Sequence, residues 1–199
     1  MTQDNIAVSY CVGMSIAGSL MEQGLGSIDT DTLSQAIKDA FEGKEPLYTP
    51  EQANGIIQSF LLAESEKQFA VNREAGVSFL AQNAERSEVQ STSSGLQFEV
   101  LTEGSGPKPS ERDTVSVHYH GTLIDGTVFD SSVHRGQPAH FGVHQVIPGW
   151  TEALQLMNVG SKYRLYIPQE LAYGAHPHPG GPIQPYSALI FDVELLEII

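Results

Sequence analysis

The sequence predicts an α+β protein: helices alone occupy roughly the first ninety residues, and an antiparallel sheet wrapped over one short helix occupies the rest. Apolar residues recur at helical spacing up to Leu80 and at a spacing of two after Gly95. The second half holds one helical pattern, near Trp150 to Met157. With 199 residues and 40% hydrophobic composition, the chain can build one or two real cores.

Ile6 to Leu25 is predicted as a helix that is apolar over more than one stripe, so other chain must surround it. Ser9, Gly13 and Ala17 lie four apart and allow a close helix approach, and in so short a segment the partner is expected to be a second subunit. A second helix starts near Asp31, capped by Thr30 or Asp29, with Leu33, Ala36, Ile37, Ala40 and Phe41 inward and Gly43 at its end. Thr49-Pro50-Glu51-Gln52 is a capping box with proline at the first helical position. It opens a helix expected to run to about Ala84, roughly 50 Å long. Its middle, AESEKQFAVNREAG, is mostly polar, as in an arm that crosses solvent. Gly55 and Gly76 mark either bending sites or close packing. Ser87 to Gly95 reads as a linker. The strands then follow with inward sets Leu96, Phe98, Val100; Val115, Val117, Tyr119; Tyr163, Leu165, Ile167; and Leu189, Phe191, Val193, Leu195. Pro148-Gly149 enters the single helix of this half.

The formal net charge is −14, with 13 acidic and 5 basic residues in 1–90 and 11 and 5 in 91–199. Phosphate binding needs clustered Lys and Arg, so nucleic acid and anionic membrane are not expected partners. The single cysteine, Cys11, forms no internal disulfide and is read as a small buried apolar residue. Asn5 to Met21 carries no charge, but serines and glycines interrupt it, and the first basic residue is Lys38. No basic leader precedes the apolar run, so a cytoplasmic protein without a signal peptide is expected.

Four segments fall in order through the second half: VHYHGTLIDGTVFDSS (Val117 to Ser132), VIPGW (Val146 to Trp150), LAYGAHPHPGGPI (Leu171 to Ile183) and LIFDVELLEI (Leu189 to Ile198). Together they resemble the FKBP-type peptidyl-prolyl cis-trans isomerases. VSYCVGMSIAG and AIKDAFEGKEPLYTPEQAN extend the likeness to the two-domain bacterial branch that includes the macrophage infectivity potentiators. The resemblance implies a helical dimerisation domain over 1–48, a long linking helix and linker over 49–90, and an FKBP-type catalytic domain over 91–199. It implies an isomerase of X-Pro bonds in protein folding, working without a cofactor as a V-shaped homodimer joined through its N-terminal helices. Its partners would be unfolded or partly folded proteins, which it would hold in the manner of a chaperone. Macrolides such as rapamycin or tacrolimus would inhibit it. A fragment from Val89 onward is expected to keep peptide activity and to lose most of its advantage on a protein client. The alternative function is a chaperone or docking module that binds prolyl segments with incidental catalysis.

The resemblance also assigns the pocket. Trp150 is the floor; Tyr119, Phe129, Val146, Ile147 and Phe191 are walls; Tyr173 stands at the rim with its hydroxyl toward a substrate carbonyl; and the Ile147 N–H is a second donor. Asp130 is the acidic group inside, paired with Tyr119 and Arg135, as a buried carboxylate requires. Two departures bear on peptide preference and macrolide affinity. Ala139 stands where a second aromatic is usual, leaving Phe141 alone on that wall. The loop after Tyr173 puts His178 and Ile183 at the rim but is longer by a residue and has Gln184 where a proline is usual.

All seven histidines lie after residue 117. His118 with His120, and His176 with His178, are candidate metal pairs, but neither has an evident third ligand, so no metal site is expected. No G-x-S-x-G elbow is present for a hydrolase, and Gly104-Ser105-Gly106 is a turn with no helix after it to cradle phosphate.

Overall fold

The computed structural model of the chain describes residues 3–199. In chain order the elements are α1 (Gln3–Glu22), α2 (Thr30–Phe41), α3 (Pro50–Gln68), α4 (Ala70–Asn83), β1 (Val89–Ser91), β2 (Gln97–Thr102), β3 (Thr114–Leu123), β4 (Val128–Ser131), α5 (Ser132–Arg135), β5 (Ala139–Gly142), α6 (Pro148–Leu156), β6 (Lys162–Ile167) and β7 (Leu189–Ile198). The chain divides into two compact units, one through Lys67 and one from Gln68.

In the first unit the local signals act as the residues dictate. Asp29 accepts from Thr32 N at 2.7 Å and starts α2, and Gly43 leaves it with φ 68. Thr49 and Gln52 exchange hydrogen bonds at 3.0 and 3.3 Å, the reciprocal capping box that starts α3. Burial does not follow the expected pattern. No residue of α2 or α3 is buried, Phe41 of the supposed inward set is 90% exposed, and Cys11 is exposed rather than enclosed. Ile6, Tyr10, Val12 and Met14 of α1 are exposed as well. Three short helices enclose too little volume to cover apolar faces on more than one side. No helix among the described residues is long and apolar enough to cross a membrane.

In the second unit all pairings are antiparallel, in the order β1-β2-β6-β7-β3-β4, with β5 also paired to β3. The period of two sends Leu96, Phe98, Val115, Val117, Tyr119, Leu165, Ile167, Phe191, Val193 and Leu195 into one core with Trp150, Ala153 and Leu154 of α6. Gly149 lets α6 approach the sheet, since a Cβ there would stand 2.6 Å from Ile167 Cγ2.

Three expectations change here. The helix foreseen from Thr49 to about Ala84 is interrupted at Phe69, where φ is −110 and ψ is 18. Beyond the break, α4 belongs to the sheet unit. Its Asn72, Gly76, Phe79 and Asn83, spaced by four, three and four, meet Pro185, Ala188, Tyr166 and Gln97 in turn. Sheet contacts therefore set its register, and Gly76 is a packing glycine rather than a bend. The presumed linker contains β1, which pairs Val89 with Glu99 and Ser91 with Gln97 around a turn at Thr92 to Gly95. It is polar because it is an edge strand with one partner. Finally, Ser131 caps a four-residue helix, α5, that hydrophobic periodicity does not reveal.

Candidate functional site

The sheet's period of two and the entry of α6 bring five rings together from distant parts of the chain. Trp150, in the first turn of α6, is 4% exposed and receives the edges of its neighbours. Its ring centroid is 5.4 Å from Tyr119, 5.7 Å from Phe141 and 5.2 Å from Phe191, with interplanar angles of 81–85°. Phe129 of β4 meets Phe191 of β7 at 5.2 Å and 83°. In an edge-on pair the edge of one ring meets the face of the other, and the remaining surfaces of these core rings line an apolar bowl. Gly121 makes the bowl possible: a Cβ there would stand 2.7 Å from Phe129 and 2.8 Å from Phe191.

The bowl is a cavity of ≈ 580 Å³ lined by Tyr119, Phe129, Asp130, Phe141, Val146, Ile147, Trp150, Tyr173, His178, Ile183 and Phe191. Eleven of the twelve residues singled out from the sequence thus line one space. The twelfth, Arg135, reaches it indirectly through Asp130 and Tyr119. Ala139 packs at the edge of the core and Phe141 alone faces Trp150 and Tyr119 from β5. Gln145, Gly181 and Pro182 also line the cavity. Gln145 precedes the VIPGW turn directly, and Gly181-Pro182 precedes Ile183, so adjacency to the expected wall positions was the available signal.

The one charged cluster in the bowl is closed on itself. Tyr119 Oη donates to Asp130 Oδ2 at 2.5 Å, Arg135 Nη2 donates to Tyr119 Oη at 2.8 Å, and Arg135 Nη1 donates to Asp130 Oδ1. Burial works to raise the Asp130 carboxyl, but the hydrogen bonds from Tyr119 and Arg135 and the guanidinium charge outweigh it and hold it below its ordinary value. Burial, then the bond to Asp130, pushes the Tyr119 phenol up; burial, then the Asp130 charge, does the same to Tyr173. At neutral pH the site therefore holds a carboxylate and two protonated phenols. Ile147 begins α6, its carbonyl accepting from Trp150 N and Thr151 N at 2.9 and 3.1 Å.

On the sheet's other face, His118 Nδ1 lies 3.1 Å from Ser132 Oγ and His120 Nδ1 lies 3.0 Å from Ser131 Oγ. These histidines are engaged by the start of α5 and lie outside the bowl.

Known proteins match this chain along its whole length. A family profile described as FKBP-type peptidyl-prolyl cis-trans isomerase matches residues 106–196, and one for the domain amino-terminal to such isomerases matches 5–100. The FKBP-type 22 kDa peptidyl-prolyl cis-trans isomerase of Escherichia coli is 48% identical over 198 residues, covering 96% of this chain and 94% of that protein. The outer membrane protein MIP of Legionella longbeachae is 40% identical over 205 residues, covering 100% of this chain and 87% of that protein. The crystal structure of FkpA from Escherichia coli aligns with a TM-score of 0.64 at 38% identity, over 98% of this chain and 95% of that one.

The MIP relative overturns the expected cytoplasmic location. A protein this similar is named for the outer membrane, so the lack of a basic leader before Asn5 does not place the chain in the cytoplasm. Both family profiles, the relatives and the fold agree: the chain belongs to the FKBP-type peptidyl-prolyl cis-trans isomerases, in the branch that joins an amino-terminal helical domain to the isomerase domain.

Proposed function

We propose that the aromatic bowl is the active site of this isomerase, and that each lining residue acts through the shape and polarity of the space. Rotation about a peptide bond faces about 18–20 kcal/mol, and uncatalysed X-Pro exchange takes tens of seconds or more. The planar amide is polar through resonance, whereas the twisted transition state has lost much of that dipole. A dry apolar bowl therefore favours the twisted state, each tenfold in rate needing about 1.4 kcal/mol of preference. The prolyl ring sits on Trp150 between Tyr119, Phe129, Val146 and Phe191, with Phe141 as the wall beside Ala139. The Tyr173 hydroxyl and the Ile147 N–H hold the carbonyls that flank the bond. Arg135 and Tyr119 keep Asp130 ionised and fixed, so that the bowl carries no mobile charge. His178 and Ile183 border the residue before proline.

The observation that carries this reading is the edge-on stacking of Tyr119, Phe141 and Phe191 about Trp150 beneath an open ≈ 580 Å³ cavity. The same space suits macrolides such as rapamycin or tacrolimus. The exposed apolar faces of α1 and α2 support a homodimer through these helices, which would present two bowls to one unfolded client in the manner of a chaperone.

The test is the isomerisation rate of a short Xaa-Phe-Pro peptide with and without rapamycin, on the wild-type chain and on Asp130→Leu. The expected result is fast exchange that the drug blocks, with kcat/KM lowered about tenfold or more in Asp130→Leu. Undiminished exchange in a folded Asp130→Leu variant, insensitive to the drug, would place catalysis elsewhere.

A further inference from the structure

We infer that α4 is a positioning element for the active-site rim: Asn72, Arg73 and Gly76 grip the base of the loop 174–186 and so set which residue before proline the bowl accepts. The inference rests on the bowl being the active site and goes beyond it to residues outside the cavity.

The loop has little of its own to hold it. It carries Pro177, Pro179, Pro182 and Pro185, and its internal backbone bonds are single turns such as Gly181 N to His178 O. It is closed at its base instead, where Tyr186 N donates to Gly174 O at 2.8 Å. Gly174 follows the rim tyrosine directly, and Tyr186 lies three residues after Ile183, so this bond fixes the spacing of both rim arms.

The base is also where α4 lands. Asn72 Nδ2 donates to Pro185 O at 3.2 Å, and the Arg73 guanidinium lies 4.4 Å from the centroid of the Tyr186 ring. Gly76 is buried against Ala188, where a Cβ would stand 3.2 Å from Ala188 Cβ, tighter than an ordinary contact. Tyr186 itself has φ 62, the one non-glycine residue at positive φ among the described residues, and is 3% exposed. A bulky residue persists in that conformation only where its surroundings over-determine it. The Tyr186 hydroxyl is buried without a hydrogen-bond partner among the described residues, so what the site retains is the ring under Arg73 and not the phenol.

The consequence is directional. The loop supplies one side of the cavity, through His178, Gly181, Pro182 and Ile183, with Tyr173 just before it, whereas β3, β4, β5, the turn at 145–147, α6 and β7 supply the rest. Loosening α4 from the loop base shifts the side that borders the residue before proline and leaves the floor in place.

The experiment uses the full-length chain. Asn72→Ala combined with Arg73→Ala, and separately Tyr186→Phe, are compared with wild type on peptides bearing Leu or Ala before proline. Trp150, the single tryptophan, reports the floor by its fluorescence. The expected result is a change of about threefold or more in the Leu-to-Ala ratio of kcat/KM for the double variant, with unshifted Trp150 emission, while Tyr186→Phe keeps the wild-type ratio. An unchanged ratio in the folded double variant overturns the inference. So does an equal loss on both peptides with shifted emission, which would be general loosening. Phe191→Ala, run alongside, separates the two readings: if it keeps wild-type turnover, the bowl is not the active site and both fall.

Discussion

Asp130 is held in this bowl by Tyr119 and Arg135, and in the proposed function it shapes the space without reacting. Its carboxyl is held below its ordinary value despite burial, because Tyr119 and Arg135 bind only the carboxylate form well. A depressed carboxyl contributes stability above its unfolded value, and that contribution is lost as pH falls through the folded value. Thermal melting of wild type and Asp130→Asn should therefore differ at neutral pH and converge as pH falls through the lowered carboxyl value; equal melting at all pH values would mean that solvent screens the cluster completely. Gly121 gives a sharper prediction. Gly121→Ala forces a methyl against Phe129 and Phe191 at distances no van der Waals contact allows, and is expected to destabilise by about 1–3 kcal/mol. Because those rings are walls, kcat/KM on peptides should fall with it, which a denaturant titration and a rate measurement on the same sample would check. Asp130, Phe129, Trp150 and Tyr173 were legible because fixed turns present them in LIDGTVFDSS, VIPGW and AYG, whereas Gly121 was not singled out. Gln145, Gly181 and Pro182 were not, because a polar residue or a glycine next to a motif carries no pattern of its own.

The elements divide along the same line. The strands and α6 were legible because each buries one face in a periodic way, and the caps at Asp29 and Thr49 because their chemistry is local. The break at Phe69 was hidden because the buried face of α4 consists of Asn72, Gly76, Phe79 and Asn83, with one apolar side chain among them. β1 was hidden because an edge strand with one partner needs no apolar residues. The interface that α4 makes is polar in detail: Asn83 Nδ2 donates to the buried Gln97 at 2.9 Å, and Gln97 Nε2 donates to Leu80 O at 2.9 Å. A fragment cut at Val89 removes every one of these partners and bares Tyr166. It is expected to lose about 2 kcal/mol relative to a fragment cut at Gln68, from the Tyr166 face that α4 no longer covers and the Gln97 hydrogen bonds that water replaces. Urea titration of both fragments decides this, and equal midpoints would mean that α4 is ornamental. Any comparison of peptide with protein substrates accordingly belongs on the fragment that begins at Gln68, since the shorter one loses rim support along with the helical unit.

At the scale of the whole molecule, the two units owe their stability to different sources. The sheet unit is complete within one chain, with Leu96, Val115, Val117, Ile167, Val193 and Leu195 at 0% exposure. The helical unit leaves apolar side chains open: Ile6, Tyr10, Met14 and Phe41 are exposed, and a Cβ on Gly13 or Gly18 would meet nothing within 4 Å. Hydrophobic periodicity showed that α1 must be surrounded, but it could not tell an internal partner from a second copy. The proposed homodimer makes a thermodynamic prediction that separates the two. If a second copy covers α1 and α2, folding of the helical unit is coupled to association, and its melting temperature rises with protein concentration. Each tenfold in concentration then adds about 1.4 kcal/mol to the dimer relative to unfolded chains. The sheet unit should melt at a temperature independent of concentration. Circular dichroism at 222 nm reports the helices and Trp150 fluorescence reports the bowl, so one heating series over a hundredfold range of concentration reads both. A helical transition that stays fixed across that range would show that the helices are satisfied within one chain, and the idea of two bowls sharing one client would fall with the dimer.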